Sequence, residues 1–370
     1  MRRWRVVLTA LVGLWVTVPA AAQRLPSRLD SDEFWQLVTA FSEPPGHFRS
    51  ENLVSNEVTY QHVIPELLRG RNPGGVYLGV GPDQNFTYIV ALRPRMAFIV
   101  DIRRQAMLQH LMYKGLIEMA EDRAAFLSLL FSRPRPPGIG PESSAAELFQ
   151  AYYAVSPDST TFWRNFRALR SRLTGYHGFT LSPTDLAGLE FIYTAFYTAG
   201  PDITYDWADG RAAFGRGMPT YAQLMLEDDG NGLNRSYLAT EENYQALRDL
   251  HVRNLIVPLV GDFAGPRTLR ALGRWLRARG AAVTAIYTSN VEQYLFQGVD
   301  NWKRYYENVA TLPIDSTSMF VRAVFTRGGL RYPATYGPRS MTMLCSVAEL
   351  LTEFREGRLY SYQQVIDMSR

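Results

Sequence analysis

The stretch GGVYLGVGPDQNF, residues 74–86, decides the fold that the sequence predicts. A short apolar run, residues 76–81, ends in two glycines one residue apart, Gly79 and Gly81, and helical spacing follows from Asn85 onward. Glycines in such a turn let backbone N–H groups approach a ligand closely. The stretch therefore predicts a buried strand, a ligand-binding turn and a helix in succession.

Further apolar runs repeat this strand-and-helix order along the chain. They lie at residues 96–102, 255–260, 282–288 and 318–325. Pro258 lies inside one of them, and proline is mostly confined to edge strands because it lacks a ladder donor. The alternation predicts an α/β fold with a doubly wound, mainly parallel Rossmann-like sheet. Residues 145–225 are dense in aromatic residues at helical spacing, which predicts a large, mainly helical insertion.

The N-terminus has the pattern of a secretory signal peptide. Three arginines among the first five residues precede an apolar run, residues 6–18, and small residues follow at 19–22, so that Gln23 is the expected mature start. The apolar run is short for a membrane span; an uncleaved anchor is the alternative. The sequence predicts an exported protein, periplasmic or extracellular, without a stable membrane span after processing.

Four segments follow from these patterns. They are the signal peptide, residues 1–22; the N-terminal helices and first half of the Rossmann-like domain, residues 23–125; the mainly helical insertion, residues 126–250; and the second half of the Rossmann-like domain, residues 251–370.

Composition excludes several classes of function. The net charge is only +4 and the arginines are scattered, so we expect no nucleic-acid-binding face. The five histidines are widely spaced, without an HxH or HExxH pair, so we expect no metal site. Cys345 is the single cysteine, which excludes an intrachain disulfide, and its apolar neighbours predict a buried, inert thiol.

Polar residues follow the ends of the predicted strands. In open α/β sheets, ligands bind outside the carboxyl ends of the strands, and these ends meet along one edge. Asp101 follows the second strand and can accept hydrogen bonds from both hydroxyls of a ribose. Gln84 stands where a dinucleotide-binding turn has its third glycine, and Asp83 would repel phosphate. A nucleoside ligand without phosphates, such as S-adenosylmethionine, therefore fits the turn best.

We predict seven residues as contacts of this ligand. They are Asn56, Gly79, Gly81, Asp83, Asn85, Asp101 and Asn290. Three carboxylates, Glu57, Asp262 and Glu292, are candidate bases for a methyl acceptor that loses a proton. Each prediction has a structural alternative: Asp101 and Asp262 can cap the helices that follow them, and the glycines can form a turn without a ligand.

Residues 76–102 resemble the first two strands of class I S-adenosylmethionine-dependent methyltransferases, with a glycine-rich turn after the first and an acid after the second. The stretches NLIVPLVGDF, residues 254–263, and AVTAIYTSNVEQYLF, residues 282–296, resemble the fourth and fifth strands of that fold. The mature chain also resembles an uncharacterised bacterial family of exported methyltransferase-like proteins with SNE, GVGPDQNF and SNVEQYLF stretches. The first resemblance implies that Gly79 and Gly81 approach the amino-acid part of the cofactor, Asp101 its ribose, and Asp262 the acceptor.

The sequence departs from the methyltransferase pattern at three places. Tyr77 stands where these enzymes usually have an acid, Asp83 replaces the third glycine of their turn, and Asp262 opens no asparagine-proline-proline motif. Export is a further conflict, because S-adenosylmethionine is made in the cytoplasm. Methyl transfer to an unknown acceptor is therefore one hypothesis, and a non-catalytic exported ligand-binding or structural envelope protein on the same fold is the other. The sequence names no protein partner.

Overall fold

A six-stranded sheet organises the molecule. The computed structural model describes residues 24–69, 73–206, 218–325 and 340–370. The strands are β1 (Val76–Gly79), β2 (Met96–Asp101), β3 (Ile256–Val260), β4 (Val283–Ser289), β5 (Met319–Phe325) and β6 (Ser340–Ser346). Their order across the sheet is β3-β2-β1-β4-β5-β6, with β1 to β5 parallel and β6 antiparallel to β5. The predicted α/β fold with a mainly parallel sheet is confirmed.

Helices connect and cover the strands. They are α1 (Ser31–Phe41), α2 (Ile64–Leu68), α3 (Gln84–Leu92), α4 (Arg104–Met119), α5 (Arg123–Phe131), α6 (Ala145–Tyr153), α7 (Ser159–Arg170), α8 (Pro183–Ala199), α9 (Tyr221–Leu226), α10 (Glu241–Val252), α11 (Thr268–Arg277), α12 (Val291–Leu295), α13 (Asn301–Val309), α14 (Val347–Arg355) and α15 (Tyr362–Asp367). A π-helical turn, Ser171–Tyr176, continues α7, and a 3₁₀ turn, Gly200–Asp202, follows α8.

The sheet is buried on both faces because helices cover each of them. Every residue of β1, β2 and β3 is buried, as expected for parallel strands that read as continuous apolar runs. Helix α4 packs on β2 and β3, and α8 packs on α4. The aromatic side chains of α6 to α8, such as Tyr152, Phe162 and Phe196, belong to the same hydrophobic core as the sheet.

Pro258 is accommodated because β3 is the edge strand. Gly261 donates its N–H to Asp101 O on the β2 side, whereas Val260 donates to Ser42 Oγ on the outer side. Pro258 has the same parity as Val260, so its missing N–H faces outward and no ladder bond is lost. The outer margin of β6 is paired as well: Leu344 exchanges two backbone hydrogen bonds with Arg370.

Three local features differ from the sequence patterns. The spacing of apolar residues over 58–68 predicts a helix, but residues 58–63 form turns before α2. Strand β6 has no counterpart in the sequence analysis. The stretches that resemble the fourth and fifth methyltransferase strands are the third and fourth strands of this sheet in chain order. Strand β3 lies beside β2, and β4 lies beside β1. The prediction that Cys345 is buried is confirmed, since the residue is 2% exposed.

The predicted signal peptide, residues 1–22, lies outside the described residues. Within the four described ranges, no helix combines the length and the apolar character that crossing a membrane requires.

Candidate functional site

A pocket lies where the order of the strands reverses. The chain passes from β1 to β2 and β3 on one side and from β4 to β5 on the other, which leaves a crevice at the carboxyl ends of β1 and β4. The crevice contains a cavity of about 270 Å³. The residues that follow four strand ends line it, together with residues of a covering segment, residues 47–57.

Six of the ten predicted site residues line this pocket. They are Asn56, Glu57, Gly81, Asp101, Asp262 and Asn290. These residues come from five separate stretches of the chain, and the shared edge of the parallel strands brings them together. The other four, Gly79, Asp83, Asn85 and Glu292, are not among the lining residues, and the structure gives a physical reason for each.

Asn85 and Gly79 build the turn from inside the protein. The Asn85 amide donates to Val80 O at 2.9 Å and to Pro82 O at 2.7 Å, and its Oδ1 accepts from Tyr77 Oη at 2.8 Å. A Cβ atom on Gly79 would lie 1.9 Å from Asn85 Oδ1. Gly79 is therefore required by the packing of Asn85, and neither residue is among those that line the pocket.

Gly81 has the opposite role in the same turn. Its φ of +80° lies in the left-handed region, where glycine is favoured. A Cβ atom there would have ordinary contacts, the closest at 3.5 Å from Asn52 of the covering segment. The turn thus presents Gly81 to the pocket.

Asp83 faces the protein interior and not the pocket. Its Oδ2 accepts a hydrogen bond from Tyr237 Oη at 2.9 Å, and the Tyr237 and Tyr221 hydroxyls are 2.5 Å apart. Burial among these rings raises the pKa of Asp83 to about 7, and the bond from Tyr237 partly opposes that rise. Asp83 is not among the residues that line the pocket, because its carboxyl group bonds inward to Tyr237.

Asp101 lines the pocket, but Arg103 occupies most of its carboxylate. Arg103 donates its backbone N–H and its Nε to Oδ1, at 2.9 and 3.0 Å, and its Nη2 to Oδ2 at 2.8 Å. A carboxylate offers about four lone-pair positions, so one remains on Oδ2. Arg103 thus reduces what Asp101 can offer to a ribose, and the contact of Asp101 with both hydroxyls stays a prediction.

Arg103, which the sequence analysis missed, also fastens the covering segment. Its Nη1 donates to Ser50 O at 3.2 Å and to Glu51 O. Leu53 of the same segment donates its N–H to Tyr205 O at 3.0 Å. The available signal was the position of an arginine two residues beyond the predicted ligand acid.

Glu57 is the buried acid of the pocket. Its Oε1 accepts from Tyr287 Oη at 2.8 Å and from Ser289 Oγ, while Gln84 Nε2 donates to Tyr287 Oη at 2.7 Å. Its Oε2 is buried and has no hydrogen-bond partner among the residues that the structure describes. Burial raises the pKa of Glu57 to about 7, although the Ser289 and Tyr287 bonds oppose that rise. Glu57 can therefore exchange a proton near neutral pH.

Asp262 is half-buried at the end of β3, and its Oδ1 accepts the N–H of Ala264 at 2.8 Å.

The expectation that Glu292 faces the rim of the pocket is wrong. Glu292 forms an ion pair with Arg322 at 2.7 Å, in which the side chains are 1% and 0% exposed, and accepts from Tyr306 Oη. The cause is Arg322, a charged residue inside the buried strand β5 that requires an acid beside it.

In the part of the chain that the structure describes, no group of three or more histidine, cysteine, aspartate or glutamate side chains is placed to hold a metal ion. The pocket offers hydrogen-bond acceptors on Asp101 and Asp262, and a carboxyl group on Glu57 whose pKa is raised to about 7.

Comparison with known proteins finds a family but no function. No curated protein matches the chain. The model of one family, described as a domain of unknown function (DUF7790), matches residues 52–363. This range includes all six strands and most of the pocket. The chain belongs to the domain family of unknown function DUF7790.

Proposed function

We propose that this is a methyltransferase-like protein that binds S-adenosylmethionine or a similar nucleoside ligand in the pocket. One observation carries the proposal: the residues after β1, β2, β3 and β4 meet around one cavity at the strand reversal, with Gly81 and Asp101 among them. This is the position at which doubly wound sheets bind nucleotides. The ligand would place one ribose hydroxyl on Asp101 Oδ2.

The proposal includes a large helical insertion, residues 126–250, in a Rossmann-like domain. Strands β2 and β3 are parallel neighbours, and such a pair needs only one crossover helix. Helix α4 packs on both strands and provides that crossover. The helices that follow α4 are therefore additional to the sheet and its covering layer.

Methyl transfer to an acceptor would depend mainly on alignment, because the reacting atoms must lie in line. Asp262, at the end of β3, has one carboxylate oxygen outside the bond to Ala264 and lies on the pocket wall. It is the first choice for a base that takes a proton from the acceptor, and Glu57 is the second.

A non-catalytic exported protein that binds a small polar ligand on the same fold is the second candidate. It is favoured because Asp101 is bonded to Arg103 and Asp262 to Ala264, so the chain itself uses part of each lining carboxylate. It also fits the predicted export, under which S-adenosylmethionine would not be supplied. Cell fractionation tests the location: export requires a processed form that begins near Gln23.

Calorimetric titration of the purified protein with S-adenosylmethionine and S-adenosylhomocysteine tests the nucleoside proposal. We expect binding, and we expect Asp101→Ala to weaken it about tenfold, the scale of a charge-assisted hydrogen bond. Asp249→Ala is the control, because Asp249 is exposed and pairs with Arg253 on the surface. A folded wild-type protein that binds neither compound would remove the nucleoside proposal. Equal affinity in Asp101→Ala would refute the ribose contact alone.

A further inference from the structure

Two buried oxygens of pocket-lining residues, Glu57 Oε2 and Gln84 Oε1, have no hydrogen-bond partner within the part of the chain that the structure describes. Glu57 is 1% exposed, and its two carboxylate oxygens have different surroundings. Oε1 accepts from the Tyr287 and Ser289 hydroxyls, whereas Oε2 is buried and receives no hydrogen bond from any described residue. A buried oxygen in this state is costly, at about 1–3 kcal/mol, unless another group reaches it. Glu57 lines the pocket, so a bound ligand can be that group.

The charges around the pocket indicate which kind of ligand group fits. Three acids line it, Glu57, Asp101 and Asp262. Two basic residues line it, the exposed His47 and the buried Arg103. The Arg103 guanidinium is already bonded to Asp101 and to carbonyls of the covering segment. Arg103 offsets the charge of Asp101, so the excess of negative charge among the described lining residues comes from Glu57 and Asp262.

The side chains packed around Glu57 add no positive charge. They are Tyr77 from β1, Gln84 and Tyr88 from α3, and Tyr287 and Ser289 from β4. Tyrosine hydroxyls in this environment stay neutral, because burial and the nearby Glu57 carboxylate raise the pKa of Tyr77, Tyr88 and Tyr287 well above the usual value. Among the described residues, no positive charge lies beside Glu57, so a cationic group of a bound ligand would be the first.

We propose that Glu57 is a specificity-determining residue that selects ligands carrying a protonated amine or amidine, whose N–H donates to Oε2. The inference rests on the proposed function only in that the same pocket binds the ligand; it does not require a nucleoside. On binding, the carboxylic acid loses its proton to solvent and forms an ion pair with the ligand cation. Neutral ligands of the same shape leave Oε2 unpaired and bind more weakly.

The proton balance gives a pH dependence. Since burial raises the pKa of Glu57 to about 7, the free protein holds the acid protonated at pH 6 and ionised at pH 8. A cationic ligand then binds more tightly at pH 8 than at pH 6, and at pH 6 its binding releases a proton. The affinity of a neutral ligand does not rise in this range.

Two matched pairs of probes test this inference in the full protein by calorimetry at pH 6 and pH 8. One pair is 5′-amino-5′-deoxyadenosine, which carries a protonated amine, and the neutral adenosine; the other is benzamidine and the neutral benzamide. We expect the cation of at least one pair to bind the wild type at pH 8 at least tenfold more tightly than its neutral match. Glu57→Gln should reduce that preference below threefold and remove its pH dependence. Glu242→Gln, at an exposed ion pair with Arg93, is the control and should retain both.

The outcomes separate this inference from the proposed function. Benzamidine selectivity that depends on Glu57, with no binding of either nucleoside, would support the inference and remove the nucleoside proposal. Nucleoside binding without a preference for the cation would leave the nucleoside proposal and overturn the inference. Equal binding of the charged and neutral members of both pairs, no binding of any probe, or a preference that persists in a folded Glu57→Gln variant, would also overturn it.

Discussion

The turn at residues 79–84 separates two regions of the molecule, and each region holds a buried acid. On the pocket side, Glu57 accepts two hydroxyl hydrogen bonds on one oxygen and leaves the other unpaired. On the inner side, Asp83 accepts from Tyr237 among packed tyrosine rings. Burial raises the pKa of both acids to about 7. Only the first acid lines a cavity.

The difference teaches that a raised pKa does not by itself identify a functional acid. Desolvation acts on any buried carboxyl group, whether or not a ligand can reach it. What distinguishes Glu57 is its place on a pocket wall together with an unpaired oxygen. Glu292 is a third case, because a buried guanidinium neutralises it within the core. We therefore assign Asp83 and Glu292 to the folded core, and Glu57 to the site.

The largest effect on stability should come from Glu292, the acid that lies in the folded core and does not line the pocket. Glu292→Ala leaves Arg322 buried without a counter-charge, so we expect a loss of about 3–5 kcal/mol in the free energy of unfolding. Glu242→Ala, which removes an exposed pair with Arg93, should change it by less than about 1 kcal/mol. Urea denaturation measures both. A loss in Glu292→Ala no larger than in this control would mean that the ion pair does not form.

The pH dependence of stability should be the same on both sides of the turn. Glu57 and Asp83 have pKa values near 7 in the folded protein, above their ordinary values of 4.5 and 3.8, so the folded state holds more protons. Each acid therefore lowers the free energy of unfolding as the pH rises from about 5 to 7, by roughly 1.4 kcal/mol per pH unit at most. Above pH 7 the effect levels off.

Denaturation of Glu57→Gln and Asp83→Asn across pH 5 to 8 measures this contribution. Relative to wild type, each variant should gain stability as the pH rises to 7. Saturating benzamidine should then change the pH dependence of wild-type stability through Glu57 alone. The Asp83→Asn variant should keep this change in pH dependence, and the Glu57→Gln variant should lose it. A response to benzamidine that requires Asp83 would reverse the comparison.

The two glycines of the turn provide a smaller, matched test. In Gly79→Ala the new methyl group collides with Asn85, and we expect a loss of about 2 kcal/mol in stability. In Gly81→Ala the methyl group has room, and the cost is about 1 kcal/mol from the positive φ. Ligand affinity should fall in Gly81→Ala only, because Gly81 lines the pocket. Weaker binding in Gly79→Ala alone would place the ligand on the inner side.

The smallest effect should come from single hydroxyl groups. Ser289→Ala removes a hydrogen bond that favours the ionised form of Glu57, so the pKa of Glu57 should rise further. Tyr237→Phe should raise the pKa of Asp83 in the same way. The midpoints of the two stability profiles report these shifts. A downward shift in Ser289→Ala would show that Ser289 does not donate to Glu57.

The sequence predicts the sheet and the edge that holds the pocket because both depend on local patterns. Buried parallel strands read as apolar runs, and the carboxyl ends of such strands share one edge, which is why Gly81, Asp101 and Asp262 converge. The position of β3 at the edge could have been read from Pro258. Strand β6 follows β5 without a helix of the described chain between them and pairs with it antiparallel. The alternation of strands and helices therefore does not indicate β6.

The direction of the acidic side chains could not be predicted, because their partners are distant in the chain. Tyr237, which draws Asp83 inward, lies 154 residues away, and Tyr287, which contacts Glu57, lies 230 residues away. Arg322, in contrast, could have been used to predict its partner from the sequence. An arginine within the apolar run of β5 requires a buried acid, and Glu292 is that acid.

The two margins of the sheet restrict how other chains can associate with this protein. An exposed edge strand with free N–H and C=O groups is a template for strand addition, fibril formation and domain swapping. Here Pro258 and residues 42–43 occupy the β3 margin, and Arg370 pairs with Leu344 along the β6 margin. A partner that approaches at Val260 or Leu344 meets main-chain groups that are already bonded, so extension of the sheet by another strand is disfavoured at these positions.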